Sequence, residues 1–328
     1  MRRREVIILL GGAVAMWPLA PRAQQPAVPV VGFLSWFPET GQSHGAAVFR
    51  KALGDAGYVD GRNVAIQYRS ADGQASRLPS VAAGLVAERV AVIVAVPFDV
   101  GYAAAAATAK IPIIFTIGSD PTDLETLGRQ IRPDGNVTGV SQVLPPLAAK
   151  RLEIIRELMP DARTVAFLDV ADALATHLPS EFADLSAAAE PLGIKIERLQ
   201  PRSNEELDEA FGTVTRKRAE ALIVSPHPLF IAARFRLVAL AKLHAVPTIY
   251  PFSEDAEAGG LMGYGNSNFD IYRQMGRYAA RILDGEKPGD LPIAQPATIS
   301  LTINLKTAKE LGLAVPQSLL ARADRVIP

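Results

Sequence analysis

The sequence predicts an α/β fold built on two parallel sheets, and three observations lead there. From Pro29 onward, short apolar runs rich in β-branched residues alternate with helical stretches. The alternation occurs twice, on either side of a proline-bearing seam at Gln142-Val143-Leu144-Pro145-Pro146. The chain has 328 residues, 49% of them hydrophobic and 21% charged, which is more than one hydrophobic core usually organises. Buried strands alternating with helices mean βαβ units and parallel sheets. Two open parallel sheets joined by crossover segments make a two-lobed molecule with a cleft between the lobes.

The elements of the first half follow in order. VVGFLS (30–35) is a β-branched strand. GAAVFRKALGDAGY (45–58) is helical in period, with Val48, Ala52, Leu53 and Ala56 on one face and Gly57 as its stop. NVAIQYR (63–69) alternates like a strand, LPSVAAGLVAERV (78–90) is a helix with Pro near its start, and AVIVAV (91–96) is a buried strand. YAAAAATA (102–109) is a closely packed helix, IPIIFTI (111–117) a strand, and NVTGVS (136–141) a short closing strand. In the second half LAAKRLEIIRELMP (147–160) is an amphipathic helix ended by Pro160. TVAFLDV (164–170), KIERLQ (195–200), ALIVSP (221–226), PTIYP (247–251) and LMGYG (261–265) read as strands. They are separated by helices at 179–193, 205–218 and 230–244. The long helix FDIYRQMGRYAARILDG (269–285) and the strand TISLTINL (298–305) complete the pattern. No fixed-period self-similarity accompanies it, so the repetition is structural.

Residues 1–25, MRRREVIILLGGAVAMWPLAPRAQQ, read as an export signal: Arg2, Arg3 and Arg4 precede an apolar run from Val6 to Trp17, with small residues near Ala20 and Ala23. The run is too short for a membrane span, and the paired arginines suggest twin-arginine export. Removing 1–23 takes away four Arg and one Glu, so 30 basic and 33 acidic residues remain of 34 and 34. That balance argues against a nucleic-acid binder. Cys is absent, which excludes disulfides, thiolate metal sites, Cys nucleophiles and a lipid-modified N-terminal Cys. The four His residues include no pair at metal-ligand spacing, so neither a metal nor a cofactor is expected.

Several local patterns imitate chemistry. Gly41-Gln42-Ser43-His44-Gly45 fits G-x-S-x-G, but Pro38 separates it from the strand, so Ser43 reads as a helix N-cap rather than a nucleophile. Gly263-Tyr264-Gly265-Asn266-Ser267-Asn268 begins like a dinucleotide fingerprint and ends on Asn, so it reads as a turn with Ser267 or Asn268 capping the next helix. The sequon Asn136-Val137-Thr138 reads as strand sequence, and Glu254-Asp255-Ala256-Glu257 as a solvated turn.

In open α/β sheets ligands bind outside the carboxyl ends of the strands. That rule selects Ser35-Trp36-Phe37, Pro97-Phe98-Asp99, Gly118-Ser119-Asp120-Pro121, Asp169 to Asp172, Ser225-Pro226-His227-Pro228, Tyr250 to Glu254, and Tyr264-Gly265-Asn266. Trp36, Phe37, Phe98, Tyr250, Phe252 and Tyr264 concentrate there although aromatics are only 6% of the chain. The expectation is an apolar, partly aromatic pocket with a few placed polar groups. Ser35, Ser119 and Ser225 offer hydroxyls and backbone N–H groups to a carboxylate. Asp120 fits both an ammonium partner and a helix N-cap, and His227, between two prolines, fits both a cleft residue and a structural loop residue. Contacts from the first lobe are expected from Trp36, Phe98, Ser119 and Asp120, and those from the second lobe from Asp169, Ser225, His227 and Tyr250, with Glu254 and Tyr264 beside them.

Beyond these residues, long ordered stretches carry a family likeness: the N-terminal signal, PVVGFLS, FRKALGDAGYVDGRNVAIQYRSADGQASRLPSVAAGLV, VIVAV, IPIIFTIGSDP, RPDGNVTGVS, LAAKRLEIIRELMPDA, EAGGLMGYG and LTINLKTAKELGLAVPQSLLARAD. Across nearly its whole length the chain resembles the solute-binding proteins of bacterial ABC importers, of the broad type that includes tryptophan- and phenylalanine-type binders. The resemblance implies a type I periplasmic-binding fold: two Rossmann-like lobes with parallel sheets, joined by a hinge of crossing strands. The lobes it implies are residues 28–142 with 266–290, and 143–265 with 291–328. It further implies a periplasmic location and delivery of a captured small molecule to a membrane permease and its ATPase, by a monomeric protein. Trp36, Phe37, the Pro97-Phe98-Asp99 loop and Asp169 to Asp172 depart from the family pattern on the ligand side. The aromatic lining of the strand ends favours an aromatic or otherwise apolar carboxylate or amino acid. The rival readings are a ligand-sensing receptor subunit for a membrane sensor, and an exported α/β enzyme. The enzyme would need a base–nucleophile pair or a metal constellation that the sequence does not supply.

Overall fold

The computed structural model describes residues 28–36, 39–117, 134–141, 147–170, 181–294 and 299–328. Its strands, in chain order, are β1 (Val30–Ser35), β2 (Ala65–Ser70), β3 (Val92–Val96), β4 (Ile113–Ile117), β5 (Val137–Ser141), β6 (Thr164–Leu168), β7 (Lys195–Leu199), β8 (Ala221–Val224), β9 (Thr248–Tyr250), β10 (Met262–Gly265), β11 (Ser300–Asn304) and β12 (Arg325–Ile327). Among the described residues they form a five-stranded sheet ordered β2-β1-β3-β4-β5 and a seven-stranded sheet ordered β12-β11-β10-β9-β8-β6-β7. The first sheet is parallel throughout. Strands β6 to β10 repeat its order and its parallel pairing, so the two halves of the chain build the same unit twice.

The expectation of wholly parallel sheets needs one correction. β11 runs antiparallel to β10, with Ser300 opposite Gly265 and Ile303 opposite Met262. The chain approaches β11 from beside the first sheet, where Ala294 bridges Val140 and its carbonyl accepts from Ser141 N at 2.7 Å. It therefore enters at the carboxyl end of β10 and must run the other way.

The helices explain themselves by burial. On one face of the first sheet lie α1 (Glu39–Asp55) and, from much later in the chain, a 16-residue helix at Asn268–Leu283. Phe49 and Leu53 of the former and Ile271, Tyr272 and Met275 of the latter pack with Phe33 and Val94. On the other face α2 (Leu78–Ala87) and α3 (Phe98–Ala107) bury Leu85, Val100 and Ala104 against Leu34, Ile93 and Phe115. The second sheet is covered on one face by α4 (Ala148–Leu158) and α5 (Glu181–Ala189), and on the other by α6 (Leu207–Arg216), the short α7 (Pro228–Ala232) and α8 (Arg234–Leu243). Then come α9 (Ser253–Glu257), α10 (Asn268–Leu283), α11 (Leu305–Glu310) and α12 (Gln317–Arg322).

Two local expectations change. α1 begins at Glu39, so Ser43 sits inside the helix rather than capping it; the acidic residue right after Pro38 suits a helix start. The charge run at 254–257 is not a solvated turn, because Glu254 and Asp255 are buried in α9.

Candidate functional site

A sheet ordered 2-1-3-4-5 has its topological switch point between its first and third strands, and ligands settle in the crevice outside the carboxyl ends there. In this chain that point lies between β1 and β3 and, by the repeat, between β6 and β8. Ser35 closes β1 and is buried, and Trp36 prolongs the strand, its N–H donating to Val96 O at 3.0 Å. Asp169 and Ser225 follow β6 and β8 at the second switch point; Ser225 N donates to Leu168 O at 3.0 Å.

The carboxyl edges of the two sheets face each other. His44 in α1 and Phe235 in α8 stand with ring centroids 5.2 Å apart, and the Arg234 guanidinium lies 5.5 Å from the Phe269 ring at the start of α10. Phe235 is nonetheless 56% exposed, an apolar group at the mouth of the crevice.

The predicted residues separate into distinct roles. Trp36 is half-buried, packed on the core under α2 and α3. Asp169 is engaged by its neighbour strand: Oδ2 accepts from Arg198 Nε at 3.0 Å and Nη2 at 2.5 Å. His227 caps α7, its Nδ1 accepting from Leu229 N at 3.2 Å, which requires the neutral ring with the proton on Nε2. Tyr264 is half-buried against the core beneath α4 and α11. Tyr250 is 1% exposed and turns away from the crevice: a Cβ on Gly260 would stand 2.6 Å from its ring, and it lines a cavity of about 240 Å³ between α8 and α11. Phe252 is fully buried too. The second sheet therefore presents no ring of Tyr250 or Phe252 at its carboxyl edge, because alternation along a strand sends every other side chain into the helix-covered faces. Phe37, Ser119 and Asp120, and the side chain of Phe98, lie outside the described residues.

What occupies the carboxyl edge of the second sheet is charge. The amphipathic face of α4 that buries Ala148, Leu152 and Ile155 also buries Arg151, at 0% exposure. Its Nε donates to Tyr264 O at 3.0 Å and its Nη1 to Glu181 Oε1 at 3.4 Å. Burial holds the Glu181 carboxyl above its usual pKa against the pull of Arg151. Arg234, at the start of α8, donates from Nε to Asp255 Oδ1 at 2.5 Å, while Asp255 Oδ2 accepts from Phe252 N at 3.2 Å. Burial pushes Asp255 up to about 6, with Arg234 opposing and Glu254 reinforcing the shift. Glu254 reaches the first residues of α10: its Oε1 accepts from Ser267 Oγ at 2.5 Å and from Phe269 N at 2.9 Å.

Gly263 and Gly265 make this corner possible. A Cβ on Gly263 would stand 2.2 Å from Phe252 O, and one on Gly265 would stand 2.0 Å from Pro251 O and 3.7 Å from Arg151 Nη2. The glycine pattern that resembles a dinucleotide fingerprint thus lets the segment after β9 cross directly over β10. Ser267 caps α10 as expected, accepting from Asp270 N at 3.2 Å.

Seven buried polar atoms at this edge have no hydrogen-bond partner among the described residues: Ser225 Oγ, Glu181 Oε2, Glu254 Oε2, Arg151 Nη2, Arg234 Nη2, and both Nδ2 and Oδ1 of Asn266. Folded proteins satisfy more than about 90% of such groups, so a cluster of exceptions calls for a cause. Sequence reasoning assigned no role to Arg151, Arg234 or Asp255. A signal existed for Arg151, since it stands three after Ala148 and four before Ile155 on the apolar stripe. Among the described residues no group of three or more His, Asp and Glu is placed to hold a metal ion, and no helix is long and apolar enough to cross a membrane.

This arrangement, two switch points facing across a crevice with unsatisfied polar groups on its wall, defines a protein that holds a small molecule between two sheets. The chain belongs to the ABC transporter substrate binding protein family, whose pattern matches residues 41–327. It is 25% identical over 265 residues, 81% of this chain and 75% of the other, to a tyrosine-binding protein of Clostridioides difficile strain R20291. Among solved structures it is similar to an ABC domain from Streptococcus pneumoniae in complex with L-Trp, with a TM-score of 0.74 and 25% identity over 91% of this chain and 99% of that one. A conserved domain protein from Vibrio cholerae matches with a TM-score of 0.74 and 24% identity over 91% and 99% of the two chains. The protein is a solute-binding component of an ABC transporter, a ligand-binding part that works with a membrane permease. The family is extracytoplasmic.

Proposed function

We propose that the chain captures an aromatic or otherwise apolar carboxylate or amino acid between two lobes and passes it to a permease of the inner membrane. The lobes are residues 28–142 with 266–290, and 143–265 with 291–328. Residues 1–25 direct export, so the protein acts in the periplasm as a monomer and carries out no chemical step on its solute. The observation that carries this reading is the set of seven polar atoms on the carboxyl edge of the second sheet that are unsatisfied among the described residues. They supply both donors and acceptors, as a ligand with a carboxylate, or a carboxylate and an ammonium, requires. The L-Trp complex and the tyrosine-binding relative support the aromatic class. Solute binding stabilises the arrangement in which the two edges meet, because only there can both lobes touch it.

A thermal-shift panel of amino acids, aromatic acids, sugars and polyols on protein stripped of bound solute tests the class. A solute at 100 times its dissociation constant adds about 2.7 kcal/mol of stability, a clear rise in melting temperature. Aromatic or apolar carboxylates should give that rise. A panel in which only sugars or polyols do so contradicts the reading.

A further inference from the structure

We infer that Glu254 is a positioning residue for solute capture: its carboxylate is the pivot on which the two lobes turn, holding the first turn of α10 to the second lobe. The role rests on the proposed capture of a solute between two lobes and names the contact on which their closure turns.

Each side of the contact is fixed to a different lobe. α10 is locked onto α1 of the first lobe. A Cβ on Gly276 would stand 2.7 Å from Phe49 O and 2.8 Å from Ala52 Cβ, and one on Gly45 would stand 2.5 Å from the Tyr272 ring. Helices packed this closely move as one body. α9 is locked into the second lobe in turn. Arg234 Nε stands 2.5 Å from Asp255 Oδ1, Asn304 Nδ2 at the end of β11 donates to Ala256 O at 3.1 Å, and Phe252 O lies directly against Gly263 of β10.

Between these two bodies the chain is short. β10 ends at Gly265 and α10 begins at Asn268, so only Asn266 and Ser267 link them. Arg151 grips this passage on the side of the second lobe, donating from Nε to Tyr264 O at 3.0 Å. Glu254 then reaches past the linking residues: its Oε1 accepts from Ser267 Oγ at 2.5 Å and from Phe269 N at 2.9 Å. The Arg234 guanidinium, 5.5 Å from the Phe269 ring, supports the same turn. Hinges confine large backbone changes to a few residues at the ends of elements, and here Asn266 and Ser267 are the positions left to absorb them. A contact on the axis of a rotation keeps its length while the crevice mouth opens and shuts. A carboxylate that is 4% exposed and accepts two bonds at a helix N-terminus suits that duty, because charge-assisted bonds are about twice as strong as neutral ones.

The test reads the lobes without any solute. His44 and Phe235 face each other across the crevice mouth with ring centroids 5.2 Å apart. The full mature chain carrying His44→Cys and Phe235→Cys, treated with a short bifunctional thiol reagent, links at a rate set by how often the two edges meet. Adding Glu254→Ala should slow that linking on the order of 10-fold, the factor expected when the facing arrangement is populated a tenth as often. Glu254→Gln keeps an amide oxygen that accepts from both donors, so its rate should stay within about 2-fold of the parent. Ser267→Ala removes one donor and should slow linking less than Glu254→Ala does. A merely structural cap would lower the melting temperature of Glu254→Ala and leave the linking rate of the folded protein unchanged, and that result overturns the inference. Should Glu254→Ala fail to fold, Ser267→Ala carries the same test, and linking at the parent's rate overturns it. Linking in Glu254→Gln as slow as in Glu254→Ala overturns it too, because the two accepted bonds would then not be the pivot. A parent rate that L-phenylalanine and the rest of the solute panel leave unchanged contradicts capture by closure and spares the pivot, which is read in their absence.

Discussion

Glu254, in the short helix after β9, caps a helix of the other sheet: its Oε1 lies 2.9 Å from Phe269 N at the start of α10. α10 packs on α1 and the first sheet, whereas Glu254 follows a strand of the second. One carboxylate therefore ties together the two sheet units, at the point where the chain passes from β10 to α10. Ser267 completes the tie by donating to Glu254 and accepting from Asp270 N.

Ser267→Ala removes the N-cap and one donor to Glu254 together. The expected loss is about 1–2 kcal/mol in urea unfolding, at the upper end of measured cap deletions. Ser267→Asn, which can still cap, should recover most of it. A loss of only a few tenths of a kcal/mol would mean the cap carries no weight here.

Gly263→Ala forces a Cβ to within 2.2 Å of Phe252 O, which is backbone and cannot swing aside. The substitution should destabilise by about 3 kcal/mol, the upper part of the overpacking range. Gly84→Ala is the contrast, since Gly84 lies inside α2 and a Cβ there meets nothing within 4 Å. It should stabilise by about 0.5–1 kcal/mol. Chemical denaturation of both variants checks the pair.

Tyr250→Phe deletes a buried hydroxyl that makes no well-formed hydrogen bond among the described residues and has only the Thr248 side chain beside it. Stability should change by less than about 0.5 kcal/mol or rise slightly, because at most a weak contact with Thr248 is lost. Solute affinity should stay the same, since the ring faces the cavity between α8 and α11 rather than the crevice. A large fall in affinity, read by calorimetry, would place Tyr250 back among the ligand contacts.

Asp255 ties stability to pH. Its folded pKa of about 6 lies above the ordinary 3.8, so between those values the folded protein holds a proton that the unfolded chain has released. The contribution is fully present below about pH 4 and is lost as pH rises through about 6. The stability of the wild type minus that of Asp255→Asn should therefore fall between about pH 4.5 and about pH 7. Urea midpoints at several pH values read this directly, and a difference that grows with pH would refute it.

The strands were legible because a buried parallel strand is a short β-branched run; VVGFLS is β1 residue for residue. The doubling of the fold was legible too, since the alternation repeats. The final small elements, α11, α12 and β12, were not, because each is too short to show a period. The helix expected over 230–244 divides at Ala233 into α7 and α8, a break no Pro or Gly announces. At the site, strand ends located Ser225 and Asn266 correctly at the carboxyl edge. They did not tell which aromatic rings point inward, because a rim position and a core position differ by one residue of register. The charge run at 254–257 misled for a similar reason. Glu254 and Asp255 are buried against partners, Ser267 and Arg234, that lie 13 and 21 positions away.

The central claim, that a solute is held between two units that close on it, is tested most directly across the crevice mouth. The chain has no cysteine, so His44→Cys with Phe235→Cys supplies the only two thiols, at positions whose rings stand 5.2 Å apart. A short bifunctional thiol reagent should link the two lobes faster when L-phenylalanine or L-tyrosine saturates the protein, and the linked protein should exchange its solute more slowly. A linking rate indifferent to a solute that calorimetry shows to be bound would contradict the account.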